Sequence, residues 1–301
     1  MSEKSLLVRI LAALIVFSGS TSPASPLSPD PKLGKVVAAC ENPRNGAKHV
    51  TFFKQWHAAP GVDTKRATGP VPQKQNLEAI YRQIDAWIRA KKVTEVVAEG
   101  CTGEIDSKST YKVNGWTLPD LKLAKGQAEF PEIVTSVPMK LKAAHPEQVH
   151  VPCGDNEALV KEQLLAFSDA RGDLGYLSRI LQYKDDPAKV KSYLADVIGI
   201  LKLPETASVN DAVDALKTDL KKTIDRIHET IERRNANLVS VIEGAKAPEV
   251  AVVYGGMHAE GVKKLLEAKG IACTIIEPAG YRNDEAKLLE ELESAVKKAG
   301  R

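Results

Sequence analysis

Apolar positions along this chain follow two rhythms. Runs rich in β-branched and aromatic residues predict buried strands at His49–Trp56 (HVTFFKQW), Val93–Ala98 (VTEVVA) and Val250–Tyr254, with shorter ones at Gln148–Pro152 (QVHVP) and Ile271–Ile276. Between them Leu77, Ile80, Tyr81, Ile84 and Trp87 recur at helical spacing within Gln73–Lys91. Helical patterns return near 132–143, at Ala259–Ala268 and at Asp284–Lys298. From Asn156 to Lys246 the pattern is almost wholly helical, broken at Asp185-Asp186-Pro187 and Leu203-Pro204, and it ends in a long amphipathic helix over Ser208–Glu243. Strands alternating with helices predict an α/β fold, a mostly parallel sheet with helices on both faces. The block at about 156–246 is then a large helical insertion, and residues 101–130 form an irregular loop. No solenoid repeat is present.

The N-terminus departs from this rhythm. Lys4 and Arg9 precede an apolar core from Ile10 to Phe17, and a Ser/Pro-rich stretch follows, with small residues at Ser22 and Ala24. That layout predicts a signal peptide over 1–24, then a linker and N-terminal segment over 25–48, then one domain over 49–301. The apolar core is shorter than the roughly 20 residues that span a bilayer, so no stable membrane span is expected after cleavage. The protein is therefore expected to be exported, periplasmic or secreted. Export makes disulfides possible among Cys40, Cys101, Cys153 and Cys273, in any of three pairings. Cys273 also suits a plain buried thiol, since it sits inside an apolar strand pattern. No spacing of cysteines and histidines suggests structural zinc. The net charge of +3 is small and aromatic content is 5%, so nucleic acid is not an expected partner.

Chemistry gathers at strand ends. HVTFFKQWHAAPG and EVAVVYGGMHAEG each run from an apolar strand into His-Ala and then glycine, which places His57 and His258 at carboxyl ends of parallel strands. Ligands bind at that edge of α/β sheets. Glu99 holds the corresponding place after VTEVVA. Two imidazoles and a carboxylate suit a divalent metal (Mn, Co, Zn or Fe) that acidifies water, or a metal-free general base oriented by the carboxylate. Gly255 and Gly256 would let the backbone pass close to a ligand. Arg234-Asn235, late in the long helix, could reach this edge, where a guanidinium would stabilise an oxyanion. His228-Glu229-Thr230-Ile231-Glu232 opens like a zinc-binding HExxH helix, but its fifth residue is Glu, and a solvated face explains it. His49, His145 and His150 read as structural or exposed.

These residues, His57, Glu99, Arg234-Asn235 and Gly255-Gly256-Met257-His258 followed by a helix and the strand IACTIIEP, resemble the TIKI/TraB-like superfamily, which is related to erythromycin esterases and ChaN-like haem-binding proteins. One position departs from the family pattern: Lys54 stands where its first Gly-x-x-His motif has glycine. The resemblance implies the α/β fold with a helical insertion. It also implies hydrolysis of a peptide or ester bond, with His57, Glu99 and His258 as metal ligands or acid/base groups and Arg234 stabilising charge. The alternatives are a non-catalytic haem- or small-molecule-binding protein of that fold, and an idle exported structural protein.

Overall fold

The computed structural model describes residues 27–41, 43–44, 48–56, 71–106 and 136–298. The expected signal peptide, His57 and most of the irregular loop lie outside them. Five strands make one sheet: β1 (Gly34–Ala39), β2 (His49–Gln55), β3 (Glu95–Ala98), β4 (Glu249–Gly255) and β5 (Ala272–Pro278). Their order is β1-β5-β2-β4-β3. The β5, β2, β4 and β3 strands are mutually parallel, while β1 runs antiparallel along β5, so the sheet is mostly parallel with one reversed edge. Strand β1 lies in the 25–48 linker and N-terminal segment, for which the pattern predicts no strand. Its Val36 and Val37 stay 49% and 41% exposed at the sheet edge, so no buried face marks it in the sequence. The expected strand at Gln148–Pro152 appears as isolated bridges, His150 to Glu95 and Cys153 to Ala98, that extend the sheet past β3.

Alternation of side chains along the strands divides the core. Phe53, Val96, Ala251, Val253 and Ile276 pack under helix α1 (Val71–Arg89) and helix α2 (Val137–Ala144). Phe52, Val97, Val252, Tyr254 and Ile275 pack on the opposite face under Leu238, Val239 and Ile242 of α5 (Val209–Gly244) and Val262 and Leu266 of α6 (Ala259–Ala268). Both faces are thus covered, which is why these strands read as near-continuous apolar runs. The helical block holds α3 (Glu157–Tyr183), α4 (Pro187–Leu201) and the first half of α5, which pack with α7 (Asp284–Lys298) around Phe167, Leu177, Ile180, Leu220, Ile227 and Leu292. Its breaks fall where the sequence places them. Asp186 caps α4 ahead of a proline, and Ser208 with Asp211 forms a capping box at the start of α5. At 36 residues, α5 is long enough to serve two cores: its early turns bind the block and its late turns lie on the sheet.

Two connections position the site. The chain leaves β2 through α1 and crosses to β3 beyond β4; it leaves β4 through α6 and crosses to β5 beyond β2. Since α1 and α6 cover opposite faces, the carboxyl ends of β2 and β4 flank the point where the winding reverses, the usual ligand crevice of such sheets.

All four cysteines are paired, as Cys40–Cys273 and Cys101–Cys153, so Cys273 is not a plain buried thiol. Among the described residues no helix is long and apolar enough to cross a membrane. The two disulfides fit an exported protein.

Candidate functional site

Strands β2 and β4 are parallel neighbours in unbroken register, from His49 opposite Glu249 to Gln55 opposite Gly255. The chain therefore leaves both strands at one edge. His57 itself lies outside the described residues, two positions beyond the end of β2. After β4, a single 3-10 turn, Gly256–His258, leads directly into α6. His258 is 1% exposed, and its ring meets the Tyr254 ring edge-on with centroids 4.9 Å apart. Its Nδ1 pairs with Asn235 Oδ1 at 2.7 Å. An amide oxygen can only accept, so Nδ1 carries the proton and Nε2 is the basic atom of the neutral ring. Gly261, one turn into α6, makes room for this contact: a Cβ there would lie 2.3 Å from Asn235 Nδ2. Gly256 faces Tyr281, whose hydroxyl would stand 1.9 Å from an added Cβ, so its close approach is to that side chain.

The other described histidines meet carboxylates instead: His49 with Glu249, His145 with Asp85, His150 with Glu95 and Glu104, and His228 with Glu293. His49 is buried at the amino-terminal edge of the sheet, where its Nε2 also meets Thr274 Oγ1. His228 sits on the exposed charged face of α5, as its surroundings in the sequence suggest.

Arg234 organises the rest of the edge. It is buried, and it donates through Nε to Asp155 Oδ1 at 2.7 Å and through Nη2 to Asp155 Oδ2 at 2.8 Å. Nη2 also donates to Glu99 Oε1 at 2.8 Å, and Nη1 to Gln163 Oε1 at 2.6 Å. These four bonds engage most of the five N–H groups of a guanidinium. Burial alone would lower its pKa, but the Asp155 hydrogen bond and the charges of Glu99 and Asp155 outweigh burial and raise it above its ordinary value. Glu99 also accepts from the Gly255 backbone N–H at 2.6 Å, which ties the end of β3 to the end of β4. Tyr254 donates to Asp155 Oδ1 at 2.5 Å and lies under the guanidinium, 5.3 Å away. Burial, with the nearby carboxylates, raises the Tyr254 pKa well above the ordinary phenol value despite the opposing Arg234 charge, so the hydroxyl keeps its proton.

The structure thus brings Glu99, Arg234 and His258 to one edge, with consecutive residues of α5 serving the two parts: Arg234 holds Glu99, and Asn235 holds His258. Asp155, Tyr254 and Gln163 join them without having been predicted. Asp155 could have been found by the strand-end rule that selects Glu99, since it follows the bridged segment ending in Cys153. Gln163 approaches only through the packing of α3 on α5. Among the described residues no group of three His, Cys, Asp or Glu side chains stands close enough to hold a metal ion, and one expected ligand, His57, lies outside them. Compared with protein-family models, with curated proteins and with solved structures, the chain matches none.

Proposed function

We propose that the protein is an exported hydrolase of the TIKI/TraB-like kind, acting on a peptide or ester bond at the edge between β2 and β4. The observation that carries the reading is the Asn235-held imidazole of His258 in the crevice where the sheet reverses its winding. Nε2 of His258 takes a proton from water as that water attacks the scissile carbonyl, and releases it to solvent after the leaving group has departed. Glu99, anchored by Arg234, orients the water or the imidazole that moves the proton. His57 supplies the second imidazole, as acid to the leaving group. Since most N–H groups of Arg234 are engaged, it acts as a positioning residue through Glu99 and Asp155.

A divalent metal on His57, Glu99 and His258 fits this edge poorly. Both Glu99 oxygens already accept hydrogen bonds, and a cation on that carboxylate would stand beside the buried Arg234 guanidinium. No step is routed through one.

The test is a screen of the purified chain against p-nitrophenyl esters and fluorogenic peptides, with metal content measured on the same sample and haem titrated into another aliquot. Turnover that survives a chelator supports the reading. Turnover lost with a stoichiometric metal assigns the chemistry to the metal. No turnover together with a Soret band assigns the site to haem binding.

A further inference from the structure

The two carboxylates on Arg234 arrive by mirror-image routes. Glu99-Gly100-Cys101 leaves β3, and Cys153-Gly154-Asp155 leaves the bridged segment beside it. Each carboxylate is two residues from a cysteine across a glycine, and the two cysteines are joined to each other. Backbone bonds lace the same turn: Gly100 N–H donates to Asp155 Oδ2 at 2.7 Å, Gly154 N–H to Ala98 O at 2.7 Å, and Cys153 N–H to Gly103 O at 2.8 Å. Both cysteines are buried.

We infer that the Cys101–Cys153 disulfide is a positioning device of the site. It holds Glu99 and Asp155 at the spacing at which one guanidinium binds both, and through Glu99 it sets the exit of β4 ahead of His258. Two carboxylates in a buried place repel each other, and burial is tolerable only while Arg234 bridges them. With the covalent tie gone, the two turns are free to part and admit water, and the repulsion drives them that way. The catalytic consequence rests on the hydrolase reading above; the effect on Arg234 does not.

The second disulfide supplies the control. Cys40–Cys273 joins the end of β1 to the start of β5, at the opposite edge of the sheet. It closes 233 residues against 52 for Cys101–Cys153, so loop entropy alone gives it the larger effect on global stability.

The experiment is hydrogen exchange of the Arg234 Nε–H, which donates to Asp155, in the ¹⁵N-labelled full chain, with the buried Val252 amide as reporter of global opening. In a Cys101→Ser/Cys153→Ser variant, Arg234 exchange should accelerate by about tenfold or more relative to Val252. In Cys40→Ser/Cys273→Ser the two should move together. An unchanged ratio in the first variant, or the same rise in both, overturns the inference. If the first variant does not fold, the wild type is partly reduced with dithiothreitol, a dithiol that supplies two electrons and two protons to give two thiols. Cys101–Cys153 reduction, followed by mass spectrometry, should then raise Arg234 exchange before that of Val252, and reoxidation should reverse it; a simultaneous rise overturns the inference. Ester turnover measured in parallel should fall by about a hundredfold in kcat with KM little changed. A wild type that cleaves no ester removes the hydrolase reading and leaves the exchange ratio to decide the clamp.

Discussion

Arg234 and Asp155 form a two-pronged ion pair in the interior, with Nε and Nη2 on separate carboxylate oxygens at 2.7 and 2.8 Å. The geometry suits arginine and not lysine, which offers a point charge instead of a fork. Arg234→Met would leave Glu99 and Asp155 without their shared cation and should cost about 3–5 kcal/mol of stability, read by chemical denaturation. Arg234→Lys should recover only part of that loss. Equal stability of the Met variant and wild type would mean that the carboxylates find other partners.

The Asn235 amide fixes the His258 ring, and Gly261 leaves space for the amide. Asn235→Ala and Gly261→Ala should therefore act alike on His258 by different routes, one removing the acceptor and the other displacing it. Imidazole NMR should show the Nδ1–H tautomer in wild type and a tautomer mixture in both variants. Hydrolysis should fall by about a hundredfold or more in each, the scale of losing a positioned general base.

Asp173, in α3, has a buried Oδ2 without a hydrogen-bond partner among the described residues. Burial first, then the charges of Asp219 and Asp169, push its pKa up to about 6, against a smaller opposing effect of Arg226. The folded state thus keeps this proton where the unfolded chain releases it. Its contribution is intact below about pH 4, falls as pH rises towards about 6, and then stays lost, at about 2–3 kcal/mol. Asp173→Asn should be more stable than wild type at pH 7 and equal to it near pH 3.5, as thermal melts across that range would show.

Lys48 closes the end of α5. Its ammonium donates to the carbonyls of Ile242, Glu243 and Ala245 at the helix end, sharing the Ile242 oxygen with the Ala245 N–H. Lys48→Met should lower stability by about 1–3 kcal/mol and leave the Arg234 network in place, checked by denaturation and by the Arg234 Nε–H resonance.

Much of the scaffold is legible in the chain, because strands buried on both faces must be apolar throughout and helices must show their spacing. Helices α6 and α7 have the expected bounds, and the breaks around α4 fall at Pro187 and Pro204. Strand β1 was not legible, since an edge strand with exposed valines carries no burial pattern. At the site, His258 and Glu99 stand out because strand ends in a parallel sheet converge. Arg234 and Asn235 were legible only as a polar pair placed to reach that edge. The roles they take depend on how α5 lies across the sheet: successive residues point to different neighbours, and no spacing rule gives that. Asp155 follows the short strand predicted at Gln148–Pro152, but Cys153 and Gly154 intervene and nothing local ties it to Arg234; Gln163 was hidden because its approach depends on α3 packing against α5. The pairing of the cysteines followed from the same tertiary proximity.

The measurement closest to the central claim is kcat/KM of His258→Gln beside wild type, on whichever ester or peptide the wild type cleaves, with both proteins shown folded by their melting transitions. The imidazole account predicts a loss of about a hundredfold to ten-thousandfold, carried mainly by kcat. A folded His258→Gln that turns over at the wild-type rate would contradict it.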